Sequence, residues 1–292
     1  TFLATYVSNF VLFDTLAHKC TLSRGCSTNR LVSNAQVQSV KSDAKASCLG
    51  GSAVFLDEFH TVIDGRIVVS AAQASRFAKE VAGDFNPIHD PEAKRFVVPG
   101  DLLFALAMSK YGLGQRMSVS FSGMVGKDKP LNLPDNHQGV IEITDDAGKV
   151  YTHVEHHGEV SHDRALIEAV IRSYVAFSGQ NFPYILVPLL EKHQVMFNPR
   201  RPLVIYESMS FELDRVAIAQ PELALVNSTL DVNGKRGDAH FIFEIRDGDE
   251  VIGKGDKKLI VSGLQPYDAE LMGRVVDDFE LLKSAYRPSA PA

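Results

Sequence analysis

The sequence predicts an α+β protein built on antiparallel sheet, and three observations carry that expectation. Helix-period and strand-period segments come in blocks instead of alternating one by one. Tight turn pairs, Asp64-Gly65, Asn233-Gly234 and Asp247-Gly248, separate neighbouring strand-like runs in the manner of hairpins. Each sheet so formed has an apolar face, which a helix must cover.

The elements follow in order. Phe59–Ile63 and Arg66–Val69 flank Asp64-Gly65 as a hairpin. Ser70 ahead of Ala71-Ala72-Gln73 is a capping-box pattern, opening a helix that Gly83 closes. Behind Pro99-Gly100-Asp101, the residues Leu102, Leu103, Ala105, Leu106, Ala107, Met108 and Tyr111 are apolar on nearly every side of a helix, the pattern of one buried all round. Strands are expected at Met117–Phe121, Gly139–Thr144 and Val150–Val160. A second cycle opens with helical periods over Asp163–Phe177 and Pro183–Val195. Strands at Leu203–Leu213, Leu223–Val232, Asp238–Arg246 and Val251–Val261 follow. Asp268 to Lys283 is amphipathic, with Leu271, Val275, Val276, Phe279 and Leu282 spaced for one face. The helix-then-sheet order occurs twice, which suggests a weak two-fold repeat.

Composition narrows the function classes. The 292 residues are 45% hydrophobic and 23% charged, an ordinary globular balance. No apolar run approaches the roughly 20 residues of a membrane-spanning helix, and Thr1–Phe13 stops at Asp14. A net charge of −6 without clustered Lys and Arg speaks against nucleic-acid binding. Cys20, Cys26 and Cys48 all precede the body of the chain, which leaves the body without a disulfide framework, thiolate metal site or cysteine nucleophile. A reduced, cytoplasmic setting is the expectation.

The first 52 residues differ from the rest. They carry Lys19, Arg24, Arg30, Lys41 and Lys45 against Asp14 and Asp43, are rich in Ser, Thr and Asn, and keep no sustained period. Residues 1–53 are therefore set apart as a leader. A segment foreign to the native protein, an organelle transit peptide and a genuine ordered segment are the alternatives, in that order. Two domains are expected beyond it, 54–162 and 163–292.

Chemistry concentrates in Gly83-Asp84-Phe85-Asn86-Pro87-Ile88-His89. Pro87 forbids a regular helix between Asp84 and His89, so the segment must be a loop that can fold an acid and an imidazole toward one point. Such a pair holds and activates a water, with His89 titrating in a useful range. Asn86 is placed to brace the loop through its own backbone. From the residues alone, an ordinary helix-terminating loop capped by Asp84 and Asn86 is the alternative.

These seven residues resemble the G-D-x-N-P-x-H signature of MaoC-like dehydratases, the (R)-specific enoyl-CoA hydratase group of the hotdog superfamily, and every fixed position is present. The body is also similar to a bacterial hotdog family of unassigned activity that carries the same motif. The resemblance covers about residues 54–160; the second half shares only the helix-then-four-strands order and has no copy of the motif. It implies a double hotdog, with antiparallel sheets wrapped around buried helices and a degenerate second half. It further implies that Asp84 and His89 polarise the water added across an enoyl thioester and that Asn86 braces the loop. Gly100 would offer its N–H to the thioester oxygen, where a helix N-terminus favours negative charge. No metal or redox cofactor is implied. The expected ligand is an acyl thioester of coenzyme A or a carrier protein, with no nucleic acid or membrane partner and with homodimerisation left open. An acyl-thioester hydrolase and a non-catalytic acyl-thioester binding protein are the alternatives. The chain departs from the family at Val98-Pro99-Gly100-Asp101, where hydratases show Ala-His-Gly-Met: Pro99 removes an N–H donor, and Asp101 adds a charge that could simply cap the helix.

Two other groups of polar side chains stand out. His153, Glu155, His156, His157, Glu159 and His162 suit a solvated or interface strand face better than a metal site. Arg200, Arg201, Lys254, Lys257 and Lys258 suit a solvated surface better than a phosphate site. There is no GxSxG, GxxxxGK[ST] or GxGxxG pattern.

Overall fold

A computed structural model describes residues 55–135 and 139–288. The leader, 1–53, lies outside the described residues. Among the described residues no helix is long and apolar enough to cross a membrane.

The chain begins with a short hairpin, β1 (Thr61–Ile63) and β2 (Arg66–Val68), turning at Asp64-Gly65. Ser70 then caps α1 (Ala71–Arg76): its hydroxyl accepts the Gln73 N–H while the Gln73 side chain accepts the Ser70 N–H. The expected single helix to Gly83 is instead two pieces, because Phe77–Ala82 widens into π-type turns before Gly83 ends it with a left-handed φ of 68°. A short connection leads to α2 (Gly100–Tyr111), in which every residue from Asp101 to Met108 is buried. This is the helix whose apolar residues face all ways.

Seven antiparallel strands form one continuous sheet. The first three are β3 (Leu113–Phe121), β4 (Ile141–Thr144) and β5 (Val150–Ser161). Two helices follow, α3 (Arg164–Gly179) and α4 (Leu186–Lys192), then the two-residue strand β6 (Val195–Met196). The remaining long strands are β7 (Val204–Leu213), β8 (Pro221–Asn233), β9 (Arg236–Asp247) and β10 (Glu250–Ser262). A two-residue strand β11 (Gln265–Pro266) pairs with β6, and α5 (Ala269–Ala285) ends the described fold.

The sheet order is β4-β5-β3-β7-β10-β9-β8. On each side of the β3–β7 junction, the first strand of that half is central, the last lies next to it, and the preceding one lies beyond. This shared topology makes the fold a double hotdog of the α+β class. The halves join by β3–β7 pairing from Arg116↔Glu212 to Ser120↔Ser208. One apolar core unites α2 and α3 with the inner sheet face, including Val119, Met209, Phe211 and Phe243, and a second gathers α4, α5 and the inner residues Leu230, Phe241, Leu259 and Val261.

Candidate active site

The motif loop is held by its own side chains. The Asn86 N–H donates to Asp84 Oδ1 at 2.9 Å, and the Ile88 N–H donates to Asn86 Oδ1 at 3.2 Å. Asn86 thereby caps a short turn over Pro87–His89, with Pro87 supplying a preset φ at its first position. The buried Phe85 packs edge-on against Phe279 of α5 and Tyr286, at 6.0 and 5.7 Å between ring centres, anchoring the loop from the opposite side. The bracing expected of Asn86 is thus visible as backbone hydrogen bonding.

Asp84 and His89 come together. Nδ1 of His89 lies 2.7 Å from the Val97 carbonyl oxygen. A carbonyl only accepts, so Nδ1 carries the proton, and in the neutral ring the Nε2 lone pair is left free. Nε2 stands 3.6 Å from Asp84 Oδ2. That is longer than a direct hydrogen bond and leaves both atoms in reach of a shared water. His89 is buried and Asp84 half-buried.

Gly100 opens α2 behind Pro99, three residues past the Val97 carbonyl that holds His89. Its Cα is covered. A Cβ there would lie 2.8 Å from Tyr206 Cδ1 and 3.4 Å from Phe121 Cζ. The rings of Phe121 and Tyr206 themselves pack tilted at 51°, with centres 4.7 Å apart.

Asp101 does not cap the helix. Its Oδ2 accepts the Ser178 hydroxyl at 2.5 Å, and its Oδ1 is buried with no hydrogen-bond donor, 3.7 Å from Lys257 Nζ. Lys257, expected on a solvated surface, is 2% exposed. It donates to Ser178 Oγ and lies over the Tyr206 ring, 4.0 Å from its centre. Tyr206 in turn hydrogen-bonds Tyr174 through the two hydroxyls. The strand explains the burial: in β10, Gly255, Lys257, Leu259 and Val261 share the inner face. Lys254 is exposed and Lys258 half-buried, as are outward positions; Arg200 and Arg201 are exposed.

The electrostatics follow from this burial. Burial raises the Asp101 carboxyl above the ordinary carboxylate range, with Lys257 and the Ser178 hydrogen bond opposing, the Asp84 charge adding to the rise, and His89 opposing it. Burial likewise lowers the Lys257 ammonium, against the attraction of Asp101 and then Asp84. The Tyr174 and Tyr206 phenols are pushed well above their usual range, again first by burial. Asp84, His89, Asp101 and Lys257 thus form one electrostatic neighbourhood.

The His/Glu group of β5 lies elsewhere. His153 pairs with Glu142 at 3.6 Å and His157 with Glu155 at 3.9 Å. Glu155 and His157 line a groove of about 400 Å³ on the outward sheet face, with Ser118, Ser210, Lys254 and Asp256. Among the described residues no three metal-ligating side chains converge.

Comparison with known proteins gives a family. No curated protein matches the sequence. Among solved structures, a conserved protein with a hot dog fold from Alicyclobacillus acidocaldarius shares 14% identity over 74% of this chain and 100% of its own, with a TM-score of 0.39. A MaoC-like dehydratase shares 10% identity over 70% of this chain and 98% of its own, TM-score 0.37. The acyl-CoA thioesterase II TesB2 of Mycobacterium marinum shares 10% over 58% and 91%, TM-score 0.34. Likenesses this distant assign no activity. The family match is of another order, since it runs along residues 54–270, from just ahead of the first hairpin to the start of α5, and the chain belongs to the family described as "Protein of unknown function (DUF3581)".

Proposed function

We propose that the protein is a hydratase/dehydratase acting on a trans-2-enoyl thioester and its 3-hydroxyacyl counterpart. The observation that carries this reading is the His89 ring held by its 2.7 Å Nδ1 contact to the Val97 carbonyl, with Nε2 3.6 Å from Asp84 Oδ2. A water held between them gives one proton to Nε2 as its oxygen bonds to the β carbon of the enoyl group. The carbon–carbon π electrons move toward Cα and the thioester oxygen. Asp84 holds the second water proton and stabilises the imidazolium, which then delivers its proton to Cα. The net change is addition of H and OH across one double bond, with both side chains restored. Dehydration is the same sequence reversed.

The ligand's carrier, coenzyme A or a carrier protein, is part of the proposal and not of the fold. The test is incubation with a panel of enoyl- and acyl-CoAs, following enoyl absorbance beside free thiol. Loss of enoyl absorbance without thiol release is the expected result. Thiol release would make the protein a hydrolase, and binding with neither signal would make it an acyl-thioester binding protein.

A further inference from the structure

Water addition to an enoyl thioester drives negative charge onto the thioester oxygen, so the site needs a donor or a cation there. The N–H of Gly100 is the donor the sequence suggests, yet the Tyr206 ring lies against that residue. The same ring carries the Lys257 ammonium, 4.0 Å from its centre. An ammonium has three protons to donate. Among the described residues only Ser178 Oγ receives one within hydrogen-bonding distance, and Asp101 Oδ1, at 3.7 Å, is an acceptor with no donor of its own. A buried cation with donors to spare, facing at ion-pair distance a buried carboxylate oxygen that accepts no hydrogen bond, is a poor way to build a core and a good way to receive a polar group.

We propose that Lys257 is the cation that receives the thioester oxygen, with Ser178 and Asp101 as the positioning residues that hold it and Tyr206 as the ring the oxygen displaces. This rests on the enoyl-thioester reading of Asp84 and His89. The carbonyl oxygen takes one Lys257 N–H as a hydrogen bond, and no covalent bond to the lysine forms. When the water oxygen adds at the β carbon, the electron pair reaches the thioester oxygen, where the ammonium neutralises it until Cα is protonated. Asp84 is close enough for its charge to favour the ammonium, so both groups act within one electrostatic environment. The lysine comes from the half of the chain that lacks the motif. On this assignment the second half completes the site.

The experiment uses acetoacetyl-CoA, a thioester whose enolate absorbs in the near ultraviolet and whose enolisation needs no Asp84–His89 water. Bound to the wild-type protein it should show an enolate band at a pH where the free compound is in the keto form. Lys257→Met should lose the band and keep affinity within a few-fold, and it should lower kcat for enoyl-CoA by about 10²–10³-fold with KM little changed. Because that change leaves Asp101 uncompensated and could unfold the protein, Lys257→Met/Asp101→Asn is made alongside, and it too should bind without the band. Asp84→Asn should retain the band while losing hydration. A band that persists in the folded double variant, or wild-type binding with no band, overturns the lysine assignment and leaves the hydratase reading standing. Loss of the band in Lys257→Met beside unimpaired hydration by Asp84→Asn sinks the dyad and keeps the lysine. No binding of the thioester by wild type overturns both.

Discussion

Ser178 donates its hydroxyl proton to Asp101 Oδ2 across 2.5 Å, tying the last turn of α3 to the first turn of α2. The two residues are 77 positions apart in the chain. Their bond holds the helix that carries Gly100 against the helix that backs the motif loop. Lys257 of β10 closes the same cluster from the sheet side. The motif loop is therefore backed by elements from both halves of the double hotdog.

Gly179, beside Ser178, provides the first prediction. A Cβ at this position would lie 1.6 Å from the Ala82 carbonyl oxygen, two residues before Asp84. Neither backbone has room to yield without moving the helix end. Gly179→Ala should destabilise the fold by about 1–3 kcal/mol or more through overpacking, and turnover should fall with it. Chemical denaturation and an enoyl-CoA assay measure the two effects. Unchanged stability would show that the helix end and the loop are not packed as described.

Leu106 lies in α2 and is 4% exposed. Truncation there removes apolar contacts and leaves a cavity that a helix enclosed on all sides cannot collapse into. Leu106→Ala should therefore cost about 2–5 kcal/mol, read from the denaturation midpoint. A cost within error would place this helix at the surface.

The Asp101 carboxyl sets a pH dependence. Its folded-state value is raised, chiefly by burial, above the ordinary unfolded value of about 3.9. Below that value the group is protonated in both states, and the stability it contributes is fully present. As pH rises through the raised folded-state value the contribution is lost, because the unfolded chain ionises more readily. Compared with Asp101→Asn, the wild-type protein should lose stability as pH is raised from about 4 through the weakly acidic range. Urea titrations of both proteins at several pH values give the difference. A difference that stays flat, or that grows with pH, contradicts the burial of this carboxyl.

Much of this architecture was legible in the sequence because periodicity encodes burial. The apolar run behind Asp101 gives a helix enclosed on all sides, and the Asp-Gly and Asn-Gly pairs fall at hairpin turns. The Asp84–His89 approach was legible too, since Pro87 cannot continue the preceding helix through the segment and opens only the short turn Pro87–His89. Lys257 was not, because a lysine beside another lysine is ordinarily solvated. Strand alternation held the missing signal: Lys257 has the parity of Leu259 and Val261, which are buried. Ser178 carries the same kind of signal, one helical turn after Tyr174 and Val175 on the buried face of α3. What no local pattern could give is that Asp101, Ser178 and Lys257 meet, because that depends on how β10 and α3 pack against α2. Phe77–Ala82 also escaped, since a π-type widening has no period distinct from that of a helix end.

The measurement that tests the central claim most directly is turnover of an enoyl-CoA by wild type, Asp84→Asn, His89→Ala and the double variant. If the two side chains hold one water, each single change should lower kcat by about 10²–10⁴-fold, and the double change should cost little more than the worse single one. Additive losses, or a single variant that turns over like wild type, would contradict a shared water between Asp84 and His89.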